Sequence, residues 1–263
     1  MIPPRRFVIN DECFLIDQLR SRVLSNTSAN PQFEKNNVEE RAPWLALLPI
    51  FLTGLFYFLP SALQEKRLIQ FLPQLSAYLA LALWSSFNSG AAHCLGVKRN
   101  GLVAGIKWGA VIGLLLGGMN AIVILWVVPR LGGDILFLKD TPHAHMPTWV
   151  MFPWGILVIA ISVELNFRGF LLGRLETLYC QRFRDVSLDG LNAGSFLAVV
   201  SSALVFAFDP FMVMTFQRLH WIALWDGLVW GWMFVRMKNL HAVIVAHAVE
   251  VMILYASIKA ALM

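Results

Sequence analysis

Residues 161–175 read Ile-Ser-Val-Glu-Leu-Asn-Phe-Arg-Gly-Phe-Leu-Leu-Gly-Arg-Leu, and they close a long apolar run of the chain. Within this stretch Glu164 and Arg168 stand four residues apart, so on a helix their side chains lie on one face. About fifteen almost wholly apolar residues precede Glu164, which places its carboxylate well inside a bilayer. A charge at that depth normally faces the interior of a helix bundle beside a partner, and Arg168 is within reach. The pair is either a structural ion pair or part of a functional site, and its membrane depth favours the functional site.

The composition indicates a polytopic membrane protein. Of the 263 residues, 58% are hydrophobic and 14% are charged, and the mean hydropathy is +0.64. Seven apolar segments each approach the roughly 20 residues that span a bilayer as a helix. The apolar runs are continuous rather than alternating, which excludes a closed β-barrel. The sequence therefore predicts an all-α transmembrane helix bundle of about seven spans, at 43–60, 68–87, 101–128, 147–178, 192–208, 220–235 and 240–263.

Three parts of the chain follow from these spans. Residues 1–42 form a polar cytoplasmic N-terminal segment, residues 43–140 hold the first three spans and the following loop, and residues 141–263 form the core. Within the first part, the piece from Phe14 to Leu24 is either a short amphipathic helix on the membrane surface or, as we favour, part of a solvated leader. Residues 1–42 contain no apolar core region, so no cleavable signal peptide is expected.

The lysines and arginines between the spans predict the orientation. With the N-terminus inside, the segments on that side carry thirteen of them, and the opposite side carries six. This bias predicts a cytoplasmic N-terminus. We expect the membrane to be the bacterial inner membrane. Because the basic residues sit in loops, the net charge of +5 is interpreted as topology rather than as nucleic-acid binding.

The third span carries glycine at every fourth position: Gly101, Gly105, Gly109, Gly113 and Gly117. These positions form one small-residue ridge on a helix. Such a ridge lets a neighbouring helix approach closely, so it predicts packing and carries no chemistry.

The segment 164–171, Glu-x-x-x-Arg-Gly-Phe-Leu, resembles the second half of the Glu-Glu-x-x-x-Arg signature of a protease family. This is the CAAX prenyl endopeptidase and bacteriocin-processing family of intramembrane proteases. The sequence departs from the signature at its first glutamate, where this chain has Val163. The resemblance covers about 110 residues, from the fourth span to the end of the chain.

Two further segments resemble motifs of this family, and each differs from its motif at one position. In the last span His247 stands where the family has a histidine, but Val251 holds the position of the family's asparagine four residues later. In the fifth span the segment that begins at Ser201 is similar to the family's middle motif, with Asp209 in the position of its histidine.

The resemblance implies a mechanism and a candidate site. In relatives the first glutamate is thought to activate water, while the histidines and the asparagine assist or hold the oxyanion. The corresponding site in this chain would comprise Glu164, Arg168, Asp209, His247 and Glu250. Three family positions are altered, namely 163, 209 and 251, and a valine supplies neither a base nor a donor.

Three hypotheses for function follow. In the first, which we favour, the family fold has lost proteolysis and serves as a membrane scaffold, chaperone or complex subunit. In the second, the chain is an active endopeptidase with Glu164 as base, His247 as donor, and Asp209 and Glu250 as orienting groups. In the third, these carboxylates and Asp226 mark an ion or proton path, although no inverted repeat supports a carrier.

The sequence leaves metal and cofactor unassigned, although nitrogen and oxygen ligands could come from His247, Glu164, Asp209 and Glu250. His143 and His145 lie in a loop, and we interpret them as loop residues because nothing nearby supplies further ligand spacing. No His-Glu-x-x-His motif occurs, and the three cysteines, Cys13, Cys94 and Cys180, have neither paired nor metal-like spacing. The expected partners are the lipid bilayer and a membrane-associated peptide or protein subunit, with no nucleic acid.

Overall fold

The structure is a computed structural model that describes residues 40–98, 101–183, 187–188 and 191–262. The described residues from Arg41 onwards form one compact unit. The predicted polar N-terminal segment, including the stretch from Phe14 to Leu24, therefore lies outside the described residues apart from residues 40–42.

Helices make up almost all of the described chain. A two-residue hairpin, β1 (Ser187–Leu188) and β2 (Leu191–Asn192), pairs antiparallel. Single turns occupy Ser61–Gln64, Ala91–Cys94, Leu136–Asp140 and Pro142–His145. The longer helices are α1 (Pro43–Phe56), α2 (Arg67–Phe87), α3 (Leu102–Arg130), α4 (Thr148–Arg182), α5 (Ala193–Ala207), α6 (Pro210–Leu219), α7 (Ile222–Met237) and α8 (Leu240–Leu262).

The predicted all-α bundle is confirmed, and the number of full-length spans is smaller than the seven predicted. Each of the seven apolar segments is helical. Among the described residues, only α2, α3, α4 and α8 are long and apolar enough to cross a membrane. A fifth span results if α5 and α6, which meet at an angle of 51°, count as one. With 16 residues, α7 extends about 24 Å at 1.5 Å per residue, which is short of the bilayer's hydrocarbon thickness.

The loops that join these helices gather at two opposite ends of the bundle. At one end the Nη2 group of Arg174 donates to the carbonyl of Cys94 at 3.5 Å, and Lys238 forms an ion pair with Glu176. These contacts join three of the segments that the charge distribution assigns to the cytoplasmic side.

At the other end the loops line an open pocket of about 260 Å³. It is lined by residues that precede α2, follow α3 and close α6, among them Glu65, Arg67, Asp140, Thr215 and Gln217. The charge distribution assigns these loops to the side opposite the cytoplasm.

Large apolar side chains are exposed along the helices. Val103 is 81% exposed, Trp149 is 77% exposed and Leu115 is 69% exposed. Exposed apolar surface on this scale is unusual for a soluble monomer, whereas lipid chains accommodate it without cost. The exterior is therefore suited to contact with a bilayer.

Helix α4 lies at the centre of the bundle and contacts α1, α2, α5, α7 and α8. Its segment Leu165–Leu172 is wound as a π-helix, and every residue in 166–172 is buried. A helix that is buried all round belongs in the interior of a large fold or a membrane bundle. Wide π turns often occur at functional sites, and this one carries the charged motif.

The glycine ridge of α3 packs against α8, as the sequence predicted. A Cβ atom built on Gly109 would collide with the carbonyl oxygen of Ala242, and one built on Gly113 would lie 2.5 Å from the oxygen of Ala246. The two helices therefore meet backbone to backbone. By contrast, a Cβ atom on Gly118 would meet nothing within 4 Å.

We predict that Gly109→Ala destabilises the protein and that Gly118→Ala does not. The new methyl group at position 109 must push α3 away from α8, and overpacking of this kind costs about 1–3 kcal/mol. At position 118 the methyl group enters open space, and replacing glycine by alanine in a helix gains up to about 1 kcal/mol. Thermal unfolding in detergent measures both variants, and equal melting temperatures would contradict the assigned packing.

Candidate functional site

The carboxylate of Glu164 is fully buried and accepts hydrogen bonds from two other helical positions. On α4 itself the Nη1 group of Arg168 lies 3.3 Å from its Oε1 atom. From α8 the Nδ1 atom of His247 lies 2.8 Å from the same oxygen. The exposed fraction is 0% for Glu164 and 1% for Arg168. The interior of the bundle therefore contains a three-membered contact of an acid, a guanidinium and an imidazole.

Two aromatic rings complete the surroundings of Arg168. Its Cζ atom lies 4.5 Å from the centroid of the Phe206 ring and 5.0 Å from that of Trp230. Trp230 also stacks on the His247 ring, with centroids 4.5 Å apart and planes inclined by 19°. A desolvated cation over an aromatic face gains about 2 kcal/mol. Trp230 was not singled out in the sequence, where it is one of ten tryptophans.

Some polar atoms of this site have no hydrogen-bond partner among the described residues. They are Oε2 of Glu164, Nε and Nη2 of Arg168, and Nε1 of Trp230. Unpaired buried polar atoms each cost free energy, and native sites usually pair them with water or a ligand.

A second polar cluster adjoins the first and joins α3, α7 and α8. The Nδ2 group of Asn120 donates to Oε1 of Glu250 at 2.6 Å and to the two carboxylate oxygens of Asp226 at 3.1 and 3.2 Å. The indole Nε1 group of Trp225 donates to Oδ1 of Asn120 at 2.9 Å, which fixes the orientation of the amide. Arg168 interacts electrostatically with both carboxyl groups.

Glu250 therefore belongs to this second cluster rather than to the His247 contact. The two residues are three apart on α8, but the Glu250 side chain turns to Asn120 on α3. Asn120 was missed by the sequence reasoning. A signal for it exists, because it follows Gly117 by three residues and so shares the face of the glycine ridge.

The remaining candidate, Asp209, is buried at the break between α5 and α6. Its Oδ1 atom accepts from Nε2 of Gln74 at 2.9 Å and from the backbone N–H of Phe211 at 3.1 Å, so it caps α6. On α2, Gln74 precedes Tyr78 by about one helical turn, and the Tyr78 hydroxyl donates to the carbonyl of Ser162 at 2.9 Å. The structure thus brings Glu164, Arg168 and His247 together and gives Asp209 different partners.

The two valines at altered family positions lie in apolar surroundings. Val163 is partly buried against the main hydrophobic core, and Val251 packs with the smaller cluster that contains Met151 and Ile156. Neither side chain can accept or donate a proton.

In the loop that contains His143 and His145, His143 packs against an aromatic side chain. The His143 ring stacks over Phe216, with centroids 6.3 Å apart and planes inclined by 17°, and burial lowers the pKa of His143. His145 is exposed. Among the described residues no group of three or more histidine, cysteine, aspartate or glutamate side chains is arranged to hold a metal ion.

Apolar helices around a buried ionised site define an integral membrane protein. Residues 145–253 match the family model of the type II CAAX prenyl endopeptidase Rce1-like proteins. No curated protein and no solved structure matches the chain. The matched residues are those in which the motif predicted a resemblance to this family, and the chain is a CAAX-protease-like membrane protein.

We predict that Arg168→Met strands the charge of Glu164. Removing one member of a buried ion pair costs about 3–5 kcal/mol because the other charge loses its partner. Methionine keeps much of the side-chain volume between the rings of Phe206 and Trp230, so the loss reports charge rather than a cavity.

The double variant Arg168→Met with Glu164→Gln should recover part of that stability because glutamine carries no charge. Thermal and denaturant unfolding in detergent compare the two variants. A double variant no more stable than Arg168→Met would rule out the stranded charge as the cause.

Proposed function

We propose that this protein is a non-proteolytic member of its family that acts as a membrane scaffold or as a subunit of a membrane complex. The observation that carries the proposal is the state of Glu164. Its carboxylate is wholly buried, and one of its oxygens accepts from both Arg168 and His247. A general base must instead reach a water molecule beside the substrate, and the neighbouring position that supplies this base in relatives holds Val163.

The surroundings of the other altered positions support the same conclusion. An oxyanion needs donors fixed at the reacting carbonyl. Asp209 accepts hydrogen bonds from Gln74 and from the first turn of α6, and Val251 packs against apolar side chains. The site therefore retains its charged pair and a histidine but lacks the family's base and two of its donors.

A membrane orientation and a partner complete the proposal. The N-terminus lies on the cytoplasmic side of a bacterial inner membrane. The excess of lysine and arginine at the end of the bundle with Arg174 and Lys238 supports this orientation. The partner is a protein subunit within the same bilayer.

An active endopeptidase is the second candidate, and one observation favours it. His247 and Glu164 form a hydrogen bond of 2.8 Å, and Oε2 of Glu164 has no partner among the described residues. A carboxylate that a histidine orients can act as a general base when its free oxygen contacts a water molecule.

Peptide cleavage in detergent or liposomes separates the two candidates. We expect no cleavage of prenylated or unprenylated CAAX peptides by the natural protein, because its site lacks the family's base. Robust cleavage that Glu164→Gln abolishes, in a variant that stays folded, would overturn the proposal. Partner proteins that copurify with the natural chain, and that no longer copurify once the complex is dissociated, would support the subunit role.

A gain-of-function variant provides a second arm. Val163→Glu restores the first glutamate of the signature, and Asp209→His with Val251→Asn restores the two other positions. Since base and donors act as a unit, we expect weak cleavage from the triple variant and none from Val163→Glu alone. Size-exclusion profiles and melting temperatures confirm that each variant is folded before its activity is compared.

A further inference from the structure

The cluster of Asn120, Asp226 and Glu250 has a charge imbalance that the proposed function does not use. Asp226 is 5% exposed and Glu250 is 1% exposed. The two carboxyl groups lie within hydrogen-bonding reach of each other and accept from one amide nitrogen. Two carboxylates this close cannot both remain ionised in an apolar environment without a compensating charge.

The facing groups do not supply enough positive charge. From α4 come Glu164 and Arg168, and from α8 comes His247 in addition to Glu250. The described part of α3 contributes the neutral amide of Asn120. Three carboxyl groups thus face one guanidinium and one imidazole. Even with the imidazole protonated, one negative charge is left over, and with a neutral imidazole two are left over.

The hydrogen bonds of Arg168 indicate that it does not neutralise this pair directly. Its contact with Glu164 uses Nη1, whereas Nε and Nη2 have no partner among the described residues although the side chain is 1% exposed. The Nη2 atom lies 3.5 Å from the position of a Cβ atom built on Gly227, beside Asp226. Within the pair, Oε2 of Glu250 is also without a partner among the described residues. A buried donor atom of Arg168 and a buried acceptor atom of Glu250 are therefore both without a partner among the described residues.

We propose that Asp226 and Glu250 form a buried proton-binding site in which the two carboxyl groups hold one proton between them. The protonated carboxyl donates its O–H to the carboxylate of the other, and the amide of Asn120 donates to both. The pair then carries a single negative charge instead of two.

The orientation of Asn120 selects a proton over a metal cation. Hard cations require several oxygen ligands, and asparagine can offer its carbonyl oxygen. Here that oxygen accepts from Trp225 at 2.9 Å, so the amide presents N–H groups to the carboxyl groups. Those N–H groups repel a metal cation but stabilise a shared proton together with its remaining negative charge.

The site is also placed to affect helix packing. A Cβ atom on Gly117 would lie 3.1 Å from Cα of Glu250, so the site adjoins the close contact of α3 with α8. Loss of the proton would leave two negative charges between α3, α7 and α8. The site thus couples proton binding to the packing of these three helices, whether or not the protein cleaves peptides.

Infrared spectroscopy of the purified protein tests the site directly. A protonated carboxylic acid has a C=O stretching band that an ionised carboxylate lacks. We expect this band at neutral pH in the natural protein and its loss on titration to alkaline pH. Asp226→Asn with Glu250→Gln should abolish the band.

Matched variants of the other buried acids, Glu164→Gln and Asp209→Asn, should retain the band. A natural protein without the band would overturn the proposal, as would a band that persists in the double variant or disappears with either control. If sodium, but not potassium, removes the band at constant pH, the site binds a metal cation in place of the proton and the proposal is overturned.

The pH dependence of stability gives a second readout. If the folded protein holds a proton that the unfolded chain releases at neutral pH, the free energy of unfolding falls as the pH rises. The melting temperature of the natural protein should therefore decrease from neutral to alkaline pH. Asp226→Asn removes one of the two charges and should flatten this decrease, so that the variant is the more stable form at alkaline pH. An unchanged slope in Asp226→Asn would contradict the shared proton.

Discussion

The cost of an ionised group in an apolar bundle is the constraint on which the site depends. Glu164 is not exposed to solvent where it lies, and its charge is compensated by Arg168 on the same helix and by a hydrogen bond from His247 on α8. The rings of Phe206 and Trp230 hold the guanidinium in place. Three helices besides α4 are thereby tied to one buried carboxylate. Such a pair adds little stability compared with well-packed apolar side chains, but it fixes the register of the helices that contribute to it.

Close backbone packing makes the second cluster possible. Gly109 and Gly113 allow α3 to approach α8 until backbone meets backbone. At that distance the short side chain of Asn120 reaches both Asp226 on α7 and Glu250 on α8. A larger residue on the ridge would separate the helices, and the amide could not bridge them. Glycines without chemical groups of their own therefore determine which polar side chains meet.

The part of the chain that matches the Rce1-like family holds an altered set of the polar groups in that family's motifs. The family match covers residues 145–253 and includes the charged pair and the histidine. Position 163 faces the apolar core, and Asp209 serves as a helix cap at the break before α6. These substitutions preserve packing and helix termination, which are needs of the fold, while they remove groups whose role is chemical. That pattern is the basis for favouring a scaffold over a protease.

The sequence by itself determined the membrane class, the helical fold, the glycine ridge and the pairing of Glu164 with Arg168. These are properties of neighbours along the chain, since hydropathy over twenty residues and spacings of three or four positions are local. From family position and helical spacing, the sequence grouped Asp209 and Glu250 with Glu164. Neither property specifies the direction in which a side chain points. The tertiary structure alone decided that Glu250 turns to Asn120, that Asp209 contacts Gln74, and that Trp230 stacks on His247. Each of these contacts joins residues far apart in sequence, and they form only where packing brings separate helices together.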